Sequence, residues 1–261
     1  MIIDTHCHLH DPAFADVRET ARMSMTQGVY GIVAVGCDAA SNELTLTAGA
    51  TLPKMIYPCV GFHPDRPELG EAELDKVEEQ VHANQARLAA IGEVGLPWYS
   101  LEGASDPATL MTRGRASLDR MLALAAQYDL AVVLHAPHGA AVGALEALER
   151  HGIERAVFHW HKAPAEITRA IVAAGYFVSV TPEVVYRERD RDLVERVPLE
   201  SLLVESDAPW QYGGEFTALP SGPWLVARAA EEVAKLKHRP IEETMSQLCA
   251  NACRLFDLDS R

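Results

Sequence analysis

Lysine is scarce in this chain. Only Lys54, Lys76, Lys162, Lys235 and Lys237 occur, and Lys+Arg total 23 against 37 Asp+Glu, for a net charge of −14 at pH 7. So acidic a chain argues against a general nucleic-acid coat or a binder of anionic membranes, because affinity for polyanions rests on Lys and Arg neutralising phosphates. A small anionic substrate drawn to a metal stays open, since a bound cation inverts the local field.

Other absences narrow the class further. No apolar stretch approaches the roughly 20 residues of a membrane span. The amino terminus has no basic region followed by a long apolar run, so no signal peptide is expected. The five cysteines (Cys7, Cys37, Cys59, Cys249 and Cys253) contain no Cys-x-x-Cys pair. That pattern fits thiols of a reducing compartment, and a cytoplasmic location is expected. Cys249 and Cys253, four apart in a helical-looking stretch, are expected on a buried face. No Gly-x-Gly-x-x-Gly or Gly-x-x-x-x-Gly-Lys-Ser/Thr loop follows any strand candidate, which disfavours a doubly wound nucleotide-binding sheet. Nothing in the composition marks a linker, so residues 1–261 are expected to form one domain.

What is present is a rhythm of short β-branched runs and longer Ala/Leu/Glu/Arg stretches. Strands are expected at 1–5, 30–36, 56–61, 89–95, 131–136, 155–159, 176–181 and 201–206. Several are almost continuously apolar, such as Ala131-Val132-Val133-Leu134, as parallel strands buried on both faces are. Helices are expected at 16–27, 71–89, 115–128, 140–150, 164–174, 190–196, 223–237 and 241–256. Gly28, Gly152 and Gly175 stand where helices end, a position that favours a left-handed residue. Residues 99–107 read as a long surface loop. Eight strands alternating with helices give an α/β fold, a (β/α)8 TIM-type barrel in a single domain.

In such a barrel the chemistry sits at the carboxyl ends of the strands. The first strand ends in His6-Cys7-His8, and strand alternation turns both imidazoles to one side while Cys7 turns to the other. The fourth ends in Ile91-Gly92-Glu93-Val94-Gly95, a carboxylate in an apolar run that costs several kcal/mol unless paired or on a metal. The fifth ends in His135, the sixth in His159-Trp160-His161 and the eighth in Glu205-Ser206-Asp207; the third adds His63. One such residue alone is more often a hydrogen-bonded core or loop group than a ligand. Together, His6, His8, Glu93, His135, His159 and Asp207 form a two-metal site whose imidazoles and carboxylates suit divalent Zn, Mn or Fe, with Mg possible.

These segments resemble the TatD family of metal-dependent deoxyribonucleases within the amidohydrolase-like barrels. The resemblance rests on Thr5-His6-Cys7-His8-Leu9, Gly61-Phe62-His63-Pro64, Ile91-Gly92-Glu93-Val94-Gly95-Leu96, His135 after Val133-Leu134, the His159 segment and Leu203-Val204-Glu205-Ser206-Asp207-Ala208-Pro209. It extends to Asn251 and Leu255-Phe256, nearly the whole chain. It implies that His6, His8, Glu93 and Asp207 hold one metal and that Glu93, His135 and His159 hold the second, with Glu93 bridging. The match loosens where substrate is read. Pro97 stands where the family usually has Asp, Ala136-Pro137-His138 where an Arg follows the histidine, and Trp160-His161 where a small residue and Phe are usual. Only Pro220-Ser221-Gly222-Pro223 stands where the family has Arg-Asn-Glu-Pro. The ligands survive and the phosphate-contacting arginines do not.

The expected chemistry is hydrolysis of DNA phosphodiester bonds at strand ends, or of a small phosphoester, by water activated on two divalent ions (Zn, Mg or Mn). Asp207 is expected to position that water and take its proton, with Glu93 as the other catalytic residue. Glu205 is expected to support the ligands. His63 and His161 are candidates to bind substrate phosphate or steady the leaving group, the alternative being hydrogen-bonded loop histidines. His138 is considered as a partial substitute for the missing arginine. His10, His82, His151 and His238 read as solvated or capping residues. The alternative activity is an amidohydrolase-type reaction on a lactone, amide or phosphate ester. A carboxylated-lysine bridge is set aside, because no lysine lies at the end of the fourth strand. No membrane and no obligate protein partner are expected.

Overall fold

Alternation within the strands decides the architecture. In β5 (Ala131–His135), Ala131 and Val133 belong to one buried cluster while Val132 and Leu134 belong to another. The first cluster fills the inside of a closed ring of strands, and the second lies between that ring and an outer layer of helices. The computed structural model describes residues 1–258. Residues 259–261, part of the expected 1–261 unit, lie outside the described residues.

The strands are β1 (Ile2–Cys7), β2 (Val29–Ala34), β3 (Ile56–Val60), β4 (Ala90–Gly95), β5, β6 (Ala156–Phe158), β7 (Phe177–Val180) and β8 (Leu202–Val204). They pair in parallel in sequence order, β1 through β8. The (β/α)8 barrel read from the sequence is therefore the fold. Helices α1 (Val17–Thr26), α2 (Ala39–Thr51), α3 (Glu71–Asn84), α4 (Pro107–Tyr128), α5 (Ala140–His151), α6 (Ala165–Ala173), α7 (Glu188–Arg196), α8 (Val226–Leu236) and α9 (Ile241–Phe256) complete it. α5 ends at Gly152, whose φ of 65° provides the left-handed cap anticipated there.

Three helices differ from the sequence reading, α3 only by stopping at Asn84 instead of 89. α2 was not expected, because residues 39–51 are mostly small and their apolar members form no single stripe. It is specified at its start instead: the Asp38 side chain accepts from Ser41 N at 2.8 Å, and the Ser41 hydroxyl accepts from Asp38 N at 2.9 Å. α4 starts at Pro107, eight residues ahead of the expected 115, with Asp106 accepting from Thr109 N at 3.0 Å. The loop anticipated over 99–107 is accordingly shorter, and it opens with a 3-10 turn at Tyr99–Leu101.

The ring closes between β1 and β8 through polar groups. Cys7 bridges Ala208, His8 N donates to Ala208 O at 2.9 Å, and Asp207 N donates to His6 O at 2.9 Å. Buried Asp4 accepts from Ser206 N at 2.9 Å, from the Ser206 hydroxyl at 2.5 Å and from His6 N at 3.2 Å. The Thr5 hydroxyl adds a bond to Val204 O at 3.0 Å. This seam lays the ends of β1 and β8 side by side. At the opposite end of the barrel, Leu255 and Phe256 of α9 pack into the inner cluster with Ile3, Ala90, Ala131 and Phe177. Asn251 fixes that helix by donating to Leu199 O and Leu202 O at 2.7 and 2.8 Å. Cys249 and Cys253 pack, half-buried, against the same cluster.

Candidate metal centre and its cleft

The carboxyl ends of the strands deliver the polar residues to one place. β1 ends with His6 and His8 facing inward, while Cys7 is fully buried on the other side with its thiol on Ala208 O, as alternation requires. β4 brings Glu93, itself buried, to the middle. That approach depends on Gly61 of the neighbouring strand end, where a Cβ would stand 2.2 Å from Glu93 N. Asn42 of α2 pins the Gly61 backbone from behind, accepting from its N–H at 3.0 Å and donating to its carbonyl at 2.9 Å.

Glu93 divides the surrounding groups into two sets. Its Oε1 lies 2.7 Å from His135 Nδ1, 2.8 Å from His159 Nε2 and 3.2 Å from His63 Nε2. Its Oε2 lies 3.4 Å from His6 Nε2 and 3.7 Å from His8 Nε2. Asp207 Oδ1 stands on the second side, 3.4 Å from His6 Nε2 and 3.3 Å from His8 Nε2. Burial pushes the Glu93 carboxyl up, but His63, His159 and His6 hold it well below the usual carboxylate range. Burial likewise opposes ionisation of Asp207, and His8 and His6 bring it below its ordinary value. Both are anions at neutral pH.

The donor set fits divalent cations. His6, His8 and Glu93 each offer a ligand atom within 4.8 Å of the others, and so do His63, Glu93 and His135. Glu93 Oε2 and His6 Nδ1 are buried and make no hydrogen bond. The nitrogens of His6 and His8 approach to 3.3 Å, as do those of His135 and His159, contacts that two protonated rings would not tolerate. A buried carboxylate oxygen without a donor, ringed by imidazole lone pairs, is the arrangement a cation satisfies. His63, anticipated as a substrate group, stands inside this cluster, its Nδ1 accepting from Asp65 N at 3.1 Å.

A supporting layer orients the rings. Glu205 Oε1 lies 3.2 Å from His159 Nδ1, and its other oxygen accepts from the Ser179 hydroxyl at 2.6 Å, in keeping with the supporting role anticipated for it. Asp65, which the sequence reading did not single out, lies 3.1 Å from His135 Nε2. Its only sequence signal is a carboxylate two residues past His63. Cys37 Sγ lies 3.6 Å from His8 Nδ1.

His161 is not brought to this cleft. β6 stops at Phe158, and Trp160, with φ of 37°, turns the chain so that alternation no longer applies. The ring packs against Phe158, its Nε2 bonds the Thr168 hydroxyl at 2.8 Å, and burial lowers its pKa to about 4. His138 likewise packs against Trp98 on the flank. His10 Nδ1 donates to Val35 O at 3.1 Å, and His82 and His151 pair with Tyr128 and Asp119.

The centre opens into a cleft of about 540 Å³ whose wall includes Tyr99, Trp160, Lys162, Arg187, Arg189 and Trp210. Lys162 comes from the loop after β6 and Arg187 and Arg189 from the start of α7, not from the positions where the family usually has arginine. A profile of the TatD-related DNases matches residues 3–257. The chain belongs to the TatD family. Among TatD relatives, an uncharacterised metal-dependent hydrolase of Haemophilus influenzae is 30% identical over 258 residues, covering 99% of this chain and 100% of that protein. Human deoxyribonuclease TATDN3 is 27% identical over 266 residues, covering 98% and 94%. The crystal structure of YjjV, a TatD homologue from Escherichia coli, superposes with a TM-score of 0.87 at 29% identity, covering 98% of each chain. As in the sequence reading, no helix among the described residues of this TatD-family chain is long and apolar enough to cross a membrane.

Proposed function

We propose that this TatD-family metal-dependent hydrolase cleaves phosphodiester bonds at DNA ends as a single catalytic domain, using two divalent ions (Zn, Mg or Mn). One observation carries the reading: Glu93 presents one oxygen to His6 and His8 and the other to His63, His135 and His159. His6, His8, Glu93 and Asp207 would hold one ion, and Glu93, His135 and His159 the other. When bound, such ions act as Lewis acids that polarise a phosphoryl group and acidify water. Asp207, an anion at the edge of the cleft, accepts the proton of the attacking water. Glu205 and Asp65 keep His159 and His135 turned toward Glu93. His63 reaches Glu93 from the cleft side, where it contacts the leaving oxygen or adds a ligand. The cysteine spacing supports a cytoplasmic location. The names of TATDN3 and of the matching family support DNA as substrate.

Metal-reconstituted protein is tested on single- and double-stranded oligonucleotides beside a panel of small phosphate esters and lactones. Metal-dependent release of nucleotides from oligonucleotide ends is the expected result. Turnover of the small esters or lactones with every oligonucleotide left intact would replace the DNA reading with the amidohydrolase-type one.

A further inference from the structure

Lys162 is placed unlike any other cation of the cleft. Its Nζ sits 3.6 Å from the centroid of the Trp160 ring and 3.5 Å from the Tyr99 hydroxyl oxygen. It forms no ion pair with a carboxylate among the described residues. Arg187 and Arg189, by contrast, are committed to Glu183 at 2.5 and 2.9 Å, and Arg189 also to Asp190 at 2.7 Å. Arg187 and Arg189 are thus held by Glu183 and Asp190, whereas Lys162 has no carboxylate at ion-pair distance among the described residues. Burial and the neighbouring Arg189 lower the Lys162 pKa more than Glu183, Asp207 and Asp190 raise it.

An aromatic pair adjoins this charge. Trp160 is buried, and its indole N–H makes no hydrogen bond among the described residues. Trp210 meets it edge-on, with centroids 5.3 Å apart and planes at 73°, yet remains 55% exposed at the cleft mouth. This leaves one indole face open at the cleft mouth, within reach of a bound ligand. A flat apolar face next to an unpaired ammonium matches the two parts of a nucleotide, a base and a phosphate.

We propose that Trp210, Trp160 and Lys162, with Arg189 beside them, form a nucleotide subsite on the cleft wall. The base stacks on the exposed face of Trp210, Trp160 holds both Trp210 and Lys162 in place, and Lys162 donates to the adjoining phosphate. The subsite deepens the DNA reading above and specifies what it requires: a base already out of the duplex stack, as at a single-stranded or frayed end. It also assigns a replacement for the arginines missing after β5 and β8.

Fluorescence titration of the metal-loaded full chain with thymidine monophosphate, ribose phosphate and inorganic phosphate tests it. Thymidine monophosphate should bind roughly tenfold more tightly than ribose phosphate, the size expected of one stacked base. Trp210→Ala should remove that advantage, and Trp210→Phe should restore it. Lys162→Ala should weaken all three ligands. Equal binding of thymidine monophosphate and ribose phosphate by the parent protein would overturn the subsite, as would a Trp210→Ala variant that keeps the full preference. Oligonucleotide cleavage separates this from the underlying reading. A protein that prefers the nucleotide but cuts no DNA keeps the subsite and loses the nuclease. One that cuts DNA with the same KM before and after Trp210→Ala keeps the nuclease and loses the subsite.

Discussion

Asp65 Oδ2 stands 3.1 Å from His135 Nε2, across the ring from the Nδ1 that faces Glu93 at 2.7 Å. The carboxylate is itself rigid, accepting from Trp98 N and Ser100 N at 2.9 Å each and from the Ser100 hydroxyl at 2.6 Å. A fixed acceptor on Nε2 selects the tautomer whose Nδ1 carries the lone pair toward Glu93.

Removing that acceptor should loosen one ion more than the other. In Asp65→Ala, affinity for the ion that His135 would hold should fall roughly ten- to hundredfold, the usual cost of losing a partner behind a ligand. Competition with a chelating dye measures it. Unaltered affinity at both positions would show that His135 needs no such support.

Glu93 and Asp207 should separate binding from chemistry. Glu93→Gln removes the charge shared by both halves of the cluster, so elemental analysis should find both ions depleted. Asp207→Asn keeps its shape beside His6 and His8 and should retain metal largely intact while abolishing turnover. Full activity in Asp207→Asn would refute its role as proton acceptor.

The β1–β8 seam should dominate local stability. Asp4→Ala leaves the buried Ser206 N–H, the Ser206 hydroxyl and His6 N–H without their acceptor. A loss of about 2 kcal/mol is expected, read as a lower Tm, with Asp4→Asn losing less because its amide oxygen still accepts. Equal Tm values for Asp4→Ala and the parent would show that the seam holds without this carboxyl.

Acid stability should depend on Glu232 of α8. Burial pushes its carboxyl up, but hydrogen bonds from Arg191, Arg228 and Lys235 hold it below its ordinary value of 4.5. The folded value is thus depressed. Its contribution is fully present above the unfolded value and is lost as pH falls through the folded one. Glu232→Gln should be less stable at neutral pH, and its Tm should fall less between neutrality and about pH 3. Parallel Tm curves for the two proteins would exclude the effect.

Much of this was legible in sequence because it repeats. Short β-branched apolar runs between helical stretches mark every strand, and the inward parity of His6 and His8 follows from a period of two. α2 was not legible, since its apolar residues gather on no one face, and what marks it is the Asp38–Ser41 cap and Asn42 on Gly61. The place of His161 was not legible because the chain turns at Trp160, beyond Phe158, where a period of two no longer says which way a side chain points. Asp65 and Lys162 lay beyond the sequence reading for another reason: what they do depends on a neighbour 70 residues away, His135, and one 63 residues away, Tyr99.

The closure of β8 against β1 also decides which half of the cluster is easiest to take apart. Asp207 stands beside His6 and His8 because Ala208 bridges Cys7 and Asp4 holds Ser206. A local opening of that seam, short of unfolding, would part the Asp207 carboxylate from both histidines while Glu93, His135 and His159 stay together.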